Sequence, residues 1–156
     1  MDKVKNTGNS DDILKLENQI CFPIYAASRL LTRAYKPYLD KLNITYPQYL
    51  ILLVLWEHTQ LSVKEIGEKL YLDSGTLTPL LKRMEKADLV KRERSHEDER
   101  RLLVTITEKG QLLKEEALTI PKSMFCQYSN EDFSLIDLRD ELKKLISIFE
   151  KGKTIK

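Results

Sequence analysis

Apolar residues recur at helical spacing along most of the chain and at strand spacing in one short stretch. Ile13, Leu16, Ile20, Ile24 and Leu31 are spaced by threes, fours and a seven, which predicts a helical segment over residues 13–42. Pro23 interrupts it and crowds the carbonyl of Gln19, predicting a kink or a late helix start there; Pro37 is a second interruption. Thr45-Tyr46-Pro47 opens another helix, with Thr45 as cap. The run Tyr49–Trp56 is apolar on every side and belongs in the middle of a core. Ser62 caps a short helix, Val63–Leu70, and Asp73-Ser74 begins one that ends near Ala87. The inward stripe of that last helix is Leu77, Leu80, Leu81 and Met84.

The period then changes. Leu89–Arg94 and Arg100–Ile106 read as two strands around the polar turn Ser95–Glu99, a hairpin. Thr107 caps a long helix reaching to about Ile120-Pro121. Asn130 or Ser129 caps a final amphipathic helix carrying Phe133, Leu138, Leu142 and Ile146. The expected organisation is a single domain over 1–156, mainly α with a small β-hairpin wing. Within it, 1–11 form a flexible tail and 47–106 a winged helix-turn-helix lobe. Residues 13–42 and 108–150 are dimerisation helices, because their apolar stripes exceed what one small lobe can bury. The basic end, residues 151–156, is expected to be loose.

Composition narrows the function. Lys and Arg number 26 against 24 Asp and Glu, so any basic surface must come from local placement. The two cysteines, Cys21 and Cys126, form no CxxC and are too few for a disulfide scaffold. Neither His58 nor His96 has a partner at metal-ligand spacing, so no metal and no cofactor is expected. The longest apolar run is too short to span a membrane, and the first dozen residues lack the apolar stretch of a signal peptide. A cytoplasmic protein with reduced thiols, and not an enzyme, is the expectation.

Helix, short helix, helix and charged hairpin is the order of a winged helix-turn-helix. There the helix after the tight turn enters the DNA major groove with its first residues. Those residues are Ser74, Gly75, Thr76 and Thr78, whose hydroxyls suit base edges and phosphates, with Gly75 allowing close backbone approach. Lys82, Arg83 and Lys86 follow on the same helix, and the hairpin supplies Lys91, Arg92, Arg94, Arg100 and Arg101. Residues 82–94 carry six basic and three acidic side chains, a strip more basic than the chain as a whole. Taken singly, each of these residues is more often a cap or a solvated charge, and it is the order of elements that groups them on one side.

Asp98-Glu99-Arg100, then Ile106-Thr107 and Gly110, resembles the wing signature D-x-R-x5-[LI]-T-x-x-G of MarR-family regulators. The resemblance implies that Arg100 enters the minor groove and that Asp98 orients it. A narrow minor groove has the negative potential to hold such an Arg. The segments LENQICF (16–22), YKP (35–37), LNITYPQY (42–49) and YLDSGTLTP (71–79) resemble one branch of that family, the organic-hydroperoxide-sensing repressors. This likeness covers roughly residues 14–120.

That branch implies a homodimer on a pseudo-palindromic double-stranded operator, with half-sites about one helical turn apart. It implies that Cys21 is the redox sensor. Tyr35 and Tyr46 reach it across the dimer, and Tyr25 lies four residues on along the same helix face. Phenol donors favour the reactive thiolate, and the apolar neighbours Phe22 and Ile24 favour an organic hydroperoxide as oxidant. Cys126 is a candidate resolving cysteine toward the partner's sensor, as in some members of the branch; among Met124, Phe125 and Tyr128 a core role is as natural. Read from the residues alone, Cys21 is itself a small apolar helix residue. An alternative function within the family is control by a small aromatic or phenolic ligand instead of oxidation. Outside it stand a thiol peroxidase and a helical interaction module.

Overall fold

A computed structural model describes residues 10–153. It divides into two compact units, the first ending at Tyr46 and the second beginning at Pro47.

The first unit holds two 3-10 turns, Ser10–Leu14 and Leu16–Asn18, followed by helix α1 (Cys21–Lys41). Of the two outcomes expected of Pro23, a kink or a late helix start, the second holds: the segment turns through Asn18 and the helix begins at Cys21. Gln19, the residue whose carbonyl Pro23 would crowd, is extended at φ −93° and ψ 121°. Pro23 becomes the third residue of α1, where a backbone N–H has no intrahelical acceptor to lose. The Asn18 side-chain amide donates to the Asp12 carbonyl at 2.7 Å and that of Gln19 donates to the Ile13 carbonyl, so the turns close on themselves. Ser10 and Asp11, expected in the loose tail, belong to the first turn; residues 1–9 lie outside the described residues. Pro37 sits inside α1 without ending it, although its ring nitrogen offers no hydrogen to the Arg33 carbonyl. Asn43, at φ 54°, reverses the chain, and Ile44 N–H donates to the Leu39 carbonyl at 3.1 Å.

Helix α2 (Tyr46–His58) leads into the second unit and buries Gln48, Tyr49, Ile51, Leu52 and Leu55. Its apolar character does not extend to full burial, since Leu53 stays exposed. Strand β1 (Gln60–Ser62), helix α3 (Val63–Leu70) and helix α4 (Ser74–Lys86) follow. All of the predicted inward stripe of α4, Leu77, Leu80, Leu81 and Met84, is buried. The core is completed by Ile66, Val90 and Val104.

Strands β2 (Val90–Arg94) and β3 (Leu102–Ile106) pair antiparallel, Val90 opposite Ile106 and Arg94 opposite Leu102. The sheet has a third member absent from the sequence expectation: β1 pairs with β3, giving the order β1-β3-β2. Arg100 and Arg101, expected to open the second strand, lie in the turn before it.

Thr107 caps helix α5 (Glu108–Ala117), its hydroxyl accepting Gly110 N–H at 3.1 Å. The single long helix expected here is two. Pro121 cannot donate to Ala117 and crowds its carbonyl, so α5 stops at Ala117 and α6 (Thr119–Tyr128) begins with Pro121 as its third residue. Helix α7 (Leu135–Lys153) starts later than expected. Its cap is Ser134, whose hydroxyl accepts Asp137 N–H at 3.2 Å. Ser129 and Asn130 instead accept Leu135 and Asp132 N–H and shape the preceding turn. The chain end is helical through Lys153, and residues 154–156 lie outside the described residues.

Candidate functional site

Residues of the second unit build one candidate site, a helix start beside a charged wing. Asp73 caps α4: its carboxylate accepts Thr76 N–H and the Thr76 hydroxyl, both at 2.9 Å. Those bonds hold the Asp73 carboxyl below its usual range. The Thr78 hydroxyl donates to the Ser74 carbonyl at 2.7 Å. With their hydrogens engaged, Thr76 and Thr78 offer acceptor lone pairs outward. Ser74, Gly75, Thr76, Lys82 and Arg83 are exposed along the same helix. Pro79 withholds a donor from the Gly75 carbonyl, adding an acceptor to the same turn.

Arg92, expected among the DNA-binding charges of the hairpin, is turned the other way. Its side chain is 17 % exposed, and its guanidinium donates to Glu85 through Nε at 3.0 Å and Nη2 at 2.5 Å. Arg92 therefore fastens β2 to α4 and leaves the outward set. Sequence offered no signal for this, because the pairing depends on strand and helix meeting seven residues apart.

In the wing, Arg100 is exposed, as expected of a groove-entering side chain. Asp98 helps it differently from the expectation. Asp98 Oδ1 accepts the backbone N–H of Arg100 at 3.0 Å, and the Asp98 carbonyl accepts Arg101 N–H at 2.9 Å. Asp98 thus shapes the loop that presents Arg100. The buried Ser95 hydroxyl supports the loop by accepting Glu97 and Asp98 N–H. Arg101 approaches Glu65 of α3 at 3.5 Å. Glu65 also closes the capping box with Ser62, and its carboxyl is held low by the Ser62 hydroxyl and backbone first, then by Arg101.

The sensor candidates of the first unit fall into two groups. Cys21 is the first residue of α1 and exposed, beside exposed Phe22, Ile24 and Tyr25. No side chain caps this end, so the uncapped backbone donors and the positive end of the helix dipole lie at the turn that carries the thiol. The Tyr25 oxygen accepts from Arg29 at 3.2 Å, which leaves the phenol hydrogen available.

Tyr35 and Tyr46 meet edge to face, ring centres 5.2 Å apart. Burial raises both phenols above their ordinary value, keeping them protonated donors. Tyr35 lies fourteen residues beyond Cys21 on one helix, a rise of about 21 Å, so the pair cannot serve the thiol of its own chain.

Cys126 stands in the last turn of α6 and is exposed, while Met124 takes the core position. Among the described residues no group of three or more His, Cys, Asp or Glu could hold a metal, and no helix is long and apolar enough to cross a membrane.

Residues 33–117 match the family described as transcriptional regulator SarA/Rot. The chain is 56 % identical over 138 residues to the organic hydroperoxide resistance transcriptional regulator of Bacillus subtilis, covering 88 % of this chain and 94 % of that one. Among solved structures it resembles reduced AbfR bound to DNA at TM-score 0.76 and 36 % identity, over 94 % of this chain and 99 % of the other. It also resembles disulfide-formed AbfR, at TM-score 0.63 and 40 % identity, over 87 % and 96 % of the two chains. AbfR is a protein of Staphylococcus epidermidis.

Proposed function

Because the chain belongs to the MarR-type winged-helix transcriptional regulators, in the branch of the organic hydroperoxide resistance regulator, we propose that it is a cytoplasmic repressor released from DNA by oxidation of Cys21. The observation that carries the reading is Cys21 itself, an exposed thiol opening a helix in a chain whose other unit holds a winged helix-turn-helix.

Two copies form the working unit. Ile24 and Leu31 on α1, with Ile20 just before it, and Leu138, Leu142, Ile146 and Phe149 on α7, are exposed at helical spacing in the single chain, the pattern of faces that another copy covers. Across such a dimer the donor pair Tyr35 and Tyr46 of one protomer serves Cys21 of the other. Two α4 helices then meet successive major grooves of a pseudo-palindromic operator, with Ser74, Gly75, Thr76 and Thr78 at base edges and Lys82 and Arg83 toward phosphates. Arg100 enters the adjoining minor groove.

The chemistry is one turnover per thiol. The Cys21 thiolate attacks the terminal oxygen of an organic hydroperoxide. The O–O bond breaks, an alcohol leaves after taking up a proton, and the sulfur becomes a sulfenate or its acid. A second thiol, from Cys126 of the other protomer or a small thiol, then condenses with the sulfenic acid to a disulfide and water. To weaken DNA binding a hundredfold, oxidation must favour the released form by ~3 kcal/mol.

The test is binding to the DNA upstream of the protein's own gene, before and after one equivalent of cumene hydroperoxide. The parent should release DNA, whereas Cys21→Ser should bind and not respond. Cys126→Ser separates the two disulfide routes when glutathione is withheld and then added. An unresponsive parent would sink the redox reading and turn the search to phenolic ligands.

A further inference from the structure

A concavity of 1020 Å³ lies between the start of α4 and the wing. Ser74 and Thr78 form one wall, Arg100 and Arg101 the other, and α3 contributes Lys64 to the lining. The lining also holds two carboxylates, Glu65 and Glu68, which would repel DNA if bare. Neither is bare: Lys64 lies 3.8 Å from Glu68, and Arg101 lies 3.5 Å from Glu65. All four side chains are at least 40 % exposed, so these are weak surface pairs that a better anion can displace.

In a duplex, a major groove and the minor groove beside it are separated by a single sugar–phosphate strand. A protein that puts one element in each must straddle that strand. Resting on the DNA-binding reading above, we propose that this concavity receives the intervening strand, and that Lys64 and Arg101 grip its phosphates on leaving Glu68 and Glu65. The exchange gives a contact without base preference. Phosphate replaces carboxylate at each cation, and the strand's condensed counterions are released. The carboxylates keep the free protein's cations in place and weaken its hold on arbitrary DNA. Lys64 thereby joins the interface, although the basic strip of the sequence begins eighteen residues later.

The experiment measures affinity of the reduced full chain for the upstream duplex and for an unrelated duplex of equal length, over a series of salt concentrations. Lys64→Ala and Arg101→Ala should each weaken both duplexes by the same factor. Each should flatten the slope of log affinity against log salt by ~0.9 per lost phosphate contact. Arg101→Lys keeps the charge and should restore the parent slope, which separates a lost phosphate from a disturbed wing. Glu68→Gln should tighten both duplexes. Parent slopes in both alanine variants overturn the proposal while leaving DNA binding intact. Absence of salt-dependent binding by the parent overturns the DNA reading itself.

Discussion

Glu85 holds Arg92 twice, accepting its backbone N–H at 3.1 Å and its guanidinium through two nitrogens. The same carboxylate therefore fixes both where β2 runs and where its arginine points. This clasp links the wing to α4, and the contact of Arg101 to Glu65 links it to α3.

Breaking the clasp should be felt as stability. Glu85→Gln is expected to cost about 1 kcal/mol in urea unfolding, the scale of a partly exposed charged hydrogen bond. The Arg92 bonds hold the Glu85 carboxyl below its ordinary value. The contribution is therefore complete above the unfolded carboxylate pKa of about 4.3 and fades as pH falls through the lower, folded value. Parent and Glu85→Gln stabilities should converge in acid; a constant gap would show that ionisation of Glu85 is irrelevant.

Gly110 closes the wing signature for a steric reason. A Cβ there would stand 2.3 Å from the Leu89 carbonyl oxygen and 2.9 Å from Ile106 Cγ1. Its own carbonyl accepts the Trp56 indole N–H at 2.9 Å, so the backbone has little room to move. Gly110→Ala should destabilise by about 1–3 kcal/mol, read as a lower urea midpoint with unchanged slope.

The two prolines of α1 should behave oppositely. Pro23 occupies a first-turn position without a lost bond, so Pro23→Ala should change stability by less than ~0.5 kcal/mol. Pro37 deprives the Arg33 carbonyl of its helical donor, so Pro37→Ala should raise the melting temperature. Thermal melts of both variants at one protein concentration decide it.

Removing either donor of the tyrosine pair should slow sensing. Tyr35→Phe or Tyr46→Phe is expected to reduce the rate of Cys21 oxidation about tenfold, the kinetic equivalent of one hydrogen bond to a developing charge. Sulfenic acid formation followed by rapid mixing measures it. An unchanged rate would detach the pair from the sulfur.

Much of this was legible in the sequence because it depends on local chemistry. Ser62, Thr107 and the Asp73-Ser74 start obey capping rules, and the α4 stripe obeys the 3.6 period. What escaped depends on contacts distant in sequence or on short elements. Strand β1 has only three residues, Gln60, Leu61 and Ser62, too few to display alternation. Arg92 is indistinguishable in sequence from its exposed neighbours until β2 meets Glu85. The break between α5 and α6 was written in Pro121, but it acts at Ala117, four residues before the proline itself.

The segment from residue 11 to residue 25 contains no buried side chain within a single chain. Its local opening should lie at the shallow end of the free-energy scale, with early amide exchange. On the proposed reading, a signal written on Cys21 would then have no hydrophobic core to melt. It would need only to shift an equilibrium of small free-energy difference, so the gain of the switch would be governed by how firmly that segment is ordered from outside its own chain.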